Sequence, residues 1–343
     1  MTRIVRAAGP LLLAVLLAIS GLTTFTYSQA PQTPTPSTAP PVTPAAIVGN
    51  VIGGSWNPAG TLLAAWRTDG SLTIEDRGGV VRVHLDHENP IRSFSWSSAD
   101  ANVFVYIPIY GSAHVVKVTE LGYEVIGQYS MAGGRLREAQ IDAVGVRLAV
   151  INSAEYEYPK ESRLEVVDVA SGQLVFDYGS DYMSFIDIAW DPTGQSRLIL
   201  SEVDELATTL RMFDVTSQTE IWSHEIPEGG PATVVWSPDG TTFVSVSTAA
   251  PHAVVALHNA SSGVILRILE SNLDSMLYEP YWAPNPNLIL SGSNVTLNDV
   301  VYEVWDQDVQ QIVDVVPQSS CSISSWPCTM PTATATPAAG DGG

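Results

Sequence analysis

One phrase recurs six times along this chain. Trp56-Asn57-Pro58-Ala59-Gly60 precedes the apolar run Leu62-Leu63-Ala64-Ala65. Trp190-Asp191-Pro192-Thr193-Gly194 leads into Leu198-Ile199-Leu200. Trp236-Ser237-Pro238-Asp239-Gly240 leads into Phe243-Val244-Ser245-Val246. Trp96, Ile141 and Trp282 anchor looser copies. Successive anchors are 40, 45, 49, 46 and 46 residues apart. A period in the forties is the signature of a repeat architecture, in which units that cannot fold alone stack on one another.

Each unit parses into four short strands. The first ends at the anchor, as in Ile91–Trp96 and Ser184–Trp190. A Pro-x-Gly turn follows, where proline presets one φ and glycine accepts the left-handed position. The second strand is nearly continuous in apolar residues, as in Asn102–Ile107 and Val146–Ile151. The third alternates and tends to end in an acid: Asp76, Asp168, Asp214 and Asp306. The fourth alternates as well, as in Glu220–Trp222 and Val264–Leu269. Continuous apolar strands suit burial on both faces, and alternating ones suit half-exposure. Residues 47–316 show no sustained helical period. Four-stranded units with two apolar faces bury both by stacking around an axis. The expected fold is therefore all-β, a β-propeller of six four-stranded blades. A seventh is the alternative, if residues 317–330 and the 40s contribute a partial blade. The anchors Trp56, Trp96, Ile141, Trp190, Trp236 and Trp282 are expected to wedge between blades.

The ends differ in composition from the repeats. Residues 1–30 combine Arg3 and Arg6, an apolar core Leu11–Ile19 and small residues at Ser28 and Ala30. They predict a signal peptide, and hence a secreted protein, extracellular, periplasmic or on the cell surface. An uncleaved N-terminal anchor is the alternative. Residues 31–46 form a Pro/Thr-rich linker, and residues 317–343 a tail ending in Thr, Pro and Gly. The tail holds the chain's two cysteines, Cys321 and Cys328, expected to pair as one local disulfide. The chain carries 36 acidic against 15 basic residues. Without residues 1–30, which lack acids, 13 basic residues remain and the net charge is −23. Such a surface repels phosphate backbones and anionic lipid, which excludes nucleic acid and membrane surfaces as expected partners.

In its repeat wording the chain resembles the WD-repeat and TolB-like propeller superfamily of secreted, bacterial-style proteins. Trp-Ser-Pro-Asp-Gly at 236–240 is that group's commonest first-turn phrase. Trp305-Asp306 ends a third strand where the family has its Trp-Asp pair, and Asp76, Asp168 and Asp214 hold the same acid position. Asp86-His87 stands where the family usually has Gly-His. The resemblance spans residues 47–316 and implies a propeller with structural anchors and acids. Thr119 and Asn259 stand near the acid position in blades 2 and 5. The family's histidine–acid network therefore cannot run through every blade. Residues 167–176 and 213–222 also resemble quinoprotein-type repeats, an enzyme class that uses more blades than six.

Motifs of catalysis are missing: there is no Gly-x-Ser-x-Gly, no His-Glu-x-x-His and no phosphate-binding Gly-rich loop. The six histidines are scattered, and the acid clusters 202–205 and 306–308 match no calcium loop. No metal and no cofactor are expected. The loops joining second to third strands, and fourth to next first strands, should share one rim of the ring. Arg67, Tyr110, Tyr156, Tyr158, Lys160, Tyr182 and His252 fall on it. Tyrosines on loops offer contact area at low entropic cost. The expected function is binding of a protein or glycan through these loops, by a monomer, without catalysis. The alternative is a propeller enzyme, quinoprotein-like or a lyase or hydrolase, with its site in the axial channel.

Overall fold

A computed structural model of the protein describes residues 51–317, apart from residues 68, 87–88, 99, 132–134, 154–161, 205–206, 227–229, 248–252, 274, 283–286, 295–298 and 307. The described residues form strands and turns and no helix. Blade 1 consists of β1 (Val51–Trp56), β2 (Leu62–Arg67), β3 (Leu72–Asp76) and β4 (Val81–Leu85). Blade 2 consists of β5 (Ile91–Trp96), β6 (Val103–Pro108), β7 (Ala113–Thr119) and β8 (Gly122–Tyr129). Blade 3 consists of β9 (Arg135–Ile141), β10 (Arg147–Ser153), β11 (Ser162–Asp168) and β12 (Leu174–Ser180). Blade 4 consists of β13 (Ser184–Trp190), β14 (Arg197–Val203), β15 (Thr208–Asp214) and β16 (Thr219–Ile226). Blade 5 consists of β17 (Ala232–Trp236), β18 (Thr242–Ser247), β19 (Val254–Asn259) and β20 (Ile265–Glu270). Blade 6 consists of β21 (Ser275–Trp282), β22 (Leu288–Asn294), β23 (Asp299–Trp305) and β24 (Ile312–Pro317).

Within each blade the four strands pair antiparallel in chain order, and each blade is a separate sheet. The protein is a six-bladed β-propeller. First strands of successive blades abut, β5 on β9, β9 on β13, β13 on β17 and β17 on β21, so they form the inner layer around the axis.

The core lies between blades rather than within them. Leu62, Leu72, Ile74 and Val83 of blade 1 pack with Trp96, Phe104 and Val116 of blade 2. Val105 and Val115 of blade 2 pack with Leu136, Ala139 and Val150 of blade 3. Equivalent layers join blades 3 and 4, 4 and 5, and 5 and 6. Strand order follows burial. All six residues of β6 are buried, whereas β16 keeps one buried residue of eight. A second strand between two neighbouring blades is covered on both faces and has a strand on each edge, so most of its positions are buried and apolar. A fourth strand is the outer edge and tolerates alternating polar residues.

Candidate functional site

The recurring phrase builds an inter-blade contact. The indole Nε1 of Trp96 donates to the Ser55 carbonyl at 3.0 Å. That of Trp190 donates to the Gln140 carbonyl at 3.1 Å, and that of Trp236 to the Ala189 carbonyl at 3.0 Å. In each case the acceptor is the residue before the preceding blade's anchor. Ile141 has no donor to offer. Trp282 follows Pro280, and β21 pairs with β22 through two register shifts. Its Nε1 is buried and finds no partner among the described residues. A proline inside a strand removes a ladder N–H, and the irregular ladder moves the indole away from the geometry that the other blades share.

A second recurring feature escapes a reading of the sequence. The residue after five of the six anchors is small, polar and buried: Asn57, Ser97, Asp142, Asp191 and Ser237; Ala283 follows Trp282. Asn57 Oδ1 accepts the backbone N–H of Thr61 at 2.8 Å, and its amide donates to the Ala101 carbonyl of blade 2 at 2.8 Å. Asp142 Oδ1 accepts the N–H groups of Val146 and Arg147 at 2.8 and 3.1 Å. Asp191 accepts from Thr193 and pairs with Arg197, whose guanidinium lies 5.4 Å from the Trp236 ring centroid in the next blade. These side chains satisfy turn donors that strand pairing leaves open. The signal was a polar residue repeated at one position, visible only once the anchors are aligned.

The third-strand acids close the outer hairpins. Asp76 accepts from the N–H groups of Gly78 and Val80 at 2.9 and 3.0 Å and pairs with Arg82. Asp168 accepts from Ser171, Asp214 from Thr216 and Ser217, and Asp306 from Gln310. Asn259 in blade 5 takes the same role toward Ser261 and Ser262, because an Asx turn needs a side-chain oxygen and not a charge. The Val80 N–H and then the Arg82 side chain hold Asp76 below the usual carboxylate range. The Ser171 hydroxyl and N–H do the same for Asp168.

On the loop rim, Tyr110 and Tyr182 are 59% and 79% exposed. Every other Phe, Trp and Tyr side chain whose burial is described is buried or half-buried. Tyr110 follows β6, beside the start of β9, and the Arg135 guanidinium lies 4.7 Å from its ring centroid. Tyr182 stands between β12 and β13. Arg67 ends β2, but its side chain is turned into blade 1, where it pairs with Glu75 at 3.2 Å. Tyr156, Tyr158, Lys160 and His252 lie outside the described residues, as do Cys321 and Cys328.

Toward the axis, Glu138 of β9 and Asp187 of β13 meet side chain to side chain. They are 6% and 3% exposed. Asp187 Oδ2 accepts the Val234 N–H of blade 5 at 2.6 Å, and Oδ1 accepts the Ile188 N–H at 2.8 Å. Glu138 accepts from the Gln140 amide at 2.9 Å. A hydrogen bond between two carboxyl groups requires one shared proton. Burial raises Asp187, against the pull of its hydrogen bonds and of Arg137. The Asp187 carboxyl thus ties blades 3, 4 and 5. Farther out, Tyr129 donates to Glu165 of the next blade, and Tyr178 to Glu202 of the next at 3.4 Å. Glu202 is fully buried and also pairs with Arg211. Burial dominates and raises its carboxyl.

Among the histidines, His258 is buried against the Phe243 ring, with centroids 4.5 Å apart. Its Nδ1 faces the Gly263 carbonyl at 3.1 Å and must carry the proton, leaving Nε2 to accept from the Ser245 hydroxyl at 2.8 Å. Burial lowers its pKa to about 4. Among the described residues, no group of three His, Cys, Asp or Glu side chains is placed to hold a metal ion. No family model matches the chain, and no curated protein matches it in sequence.

Proposed function

We propose that this protein is an exported propeller of the WD-repeat and TolB-like kind that binds a protein or glycan through its loop rim. The observation that carries this reading is the position of Tyr110 and Tyr182. They are the exposed members among the Phe, Trp and Tyr side chains whose burial is described, and both stand on loops of one rim. Large exposed rings cost hydration and are retained where a partner covers them. Residues 1–30 support export, and residues 31–46 and 329–343 support a body carried between extended spacers. The competing reading, an enzyme with an axial site, would draw on Glu138 and Asp187. Their oxygens already accept backbone and amide donors, and their burial suits a tie between blades better than contact with a substrate.

The test is capture from an extracellular fraction and on a glycan array. It compares the full chain with a Tyr110→Ala/Tyr182→Ala variant, a Tyr156→Ala/Tyr158→Ala variant, and Leu121→Ala at the opposite end of blade 2. The rim variants should lose partners that the Leu121 variant keeps. Equal capture by all of them would refute the rim as the binding face.

A further inference from the structure

Resting on that rim reading, we infer that the corner formed by Tyr110 and Arg135 is a subsite for a carboxylate carried on a short saccharide. In a chain this acidic, cations are taken up by carboxylates. Arg67, Arg82, Lys117, Arg163, Arg197 and Arg211 each pair with one. Arg77, Arg147 and Arg267 donate instead to backbone carbonyls or a hydroxyl. Arg135 does neither. It is exposed at the first position of β9, and among the described residues no carboxylate lies within ion-pair reach. Its contact is the Tyr110 ring, 4.7 Å away. A ring contact orders a guanidinium while using none of its five N–H donors. An ordered fork with free donors is suited to a planar, bidentate carboxylate.

The surroundings select the kind of carboxylate. Two residues beyond Tyr110, Ser112 Oγ lies 2.6 Å from Ser130 Oγ and accepts from the Gln128 amide at 3.1 Å. Gln128 and Ser130 are exposed. This row of hydroxyls and an amide offers both donors and acceptors, which matches vicinal sugar hydroxyls, each also donor and acceptor. The Tyr110 ring adds an apolar edge for the C–H groups of a pyranose. The overall charge sets an upper size. A net charge of −21 repels extended polyanions, so the ligand is a short chain or a chain end with a single acid among neutral hydroxyls.

Titration calorimetry on the full chain tests this with two trisaccharides, one ending in glucuronic acid and one in glucose, which differ only at C6. The acid should bind at least about tenfold more tightly, the scale of one charged bidentate contact. Arg135→Gln should bring the two within about twofold, while Arg147→Gln, at the opposite end of blade 3, should leave the preference intact. An unchanged melting temperature shows that Arg135→Gln is folded. Equal binding of the two sugars overturns the inference, as does no binding of the acid at millimolar concentration. So does an acid preference that survives Arg135→Gln. Binding of a tetraglutamate peptide that depends on Arg135, without binding of the sugar, would assign the corner to acidic peptides instead. Rim-dependent capture of neutral glycans or proteins without any acid preference would reject this subsite and leave the rim reading standing. Capture insensitive to every rim variant would reject the rim itself.

Discussion

Single residues in this propeller act mostly at blade boundaries. Trp236 spends its indole N–H on the Ala189 carbonyl and its ring on the Phe243 layer. Trp236→Phe keeps most of the apolar contact and orphans a buried acceptor, so it should lose about 1–2 kcal/mol in urea unfolding. Gly263 is constrained twice. Its φ is +71°, and a Cβ there would meet His224 at 2.3 Å and Trp222 at 2.8 Å. Gly263→Ala should therefore cost about 2 kcal/mol or more by the same measurement. His258 sets a pH response. Its folded pKa of about 4 lies below the ordinary 6.5, so the unfolded chain takes up a proton first as pH falls. Stability at this site is complete above roughly pH 6.5 and declines toward pH 4, by on the order of 3 kcal/mol at most. His258→Phe should be less stable at neutral pH, through the lost Ser245 and Gly263 bonds, yet flatter between those two pH values.

At the scale of strands, the inner layer has the opposite pH sense. The Glu138 and Asp187 carboxyls hold β9, β13 and β17 together, with Arg137, the Gln140 amide and the Val234 and Ile188 N–H groups facing them. A raised folded pKa means that the contribution is present below the unfolded carboxyl pKa of roughly 4. It is lost as pH rises through the folded value. Asp187→Asn removes the titration while retaining an acceptor. Its melting temperature should fall less than that of the wild type when pH is raised from 5 to 8, and a parallel fall would show that the pair carries no proton.

The strands themselves were legible in the sequence because their causes are local. Pro-x-Gly turns, alternation and continuous apolar runs each act within a few residues, and they marked six units of four. The polar residue after five of the six anchors was nearly as regular but was hidden by its variety, since Asn, Ser and Asp fill one role. The Glu138–Asp187 contact could not be read at all. Its partners lie in different blades, and nothing in either strand distinguishes a carboxyl facing a second carboxyl from one facing water.

Across the whole molecule, stability is a sum of layers between neighbours, so a blade lost is an interface lost. Ending the chain after residue 270 would expose Val244, Val246 and Val255, which now pack with Leu288, Leu290 and Trp305. Such a truncation should bind a hydrophobic dye and unfold over a broader urea range than the full chain. The net charge acts on the same scale. With 36 acids against 15 bases, self-repulsion opposes the compact state. Raising ionic strength from about 0.01 to 0.15 M shortens the Debye length from roughly 30 to 8 Å and should raise the melting temperature.

By itself the amino-acid sequence determined the repeat, the four strands of each unit and the acidic surface, and it narrowed the blades to six or seven, because periodicity and composition are properties of the chain alone. The tertiary structure decided which side chains work together. It turned Arg67 inward to Glu75, seated Arg135 on Tyr110, and joined Glu138 to Asp187. Each of these is settled by which blade face lies opposite, and that follows from packing around an axis that no local segment encodes.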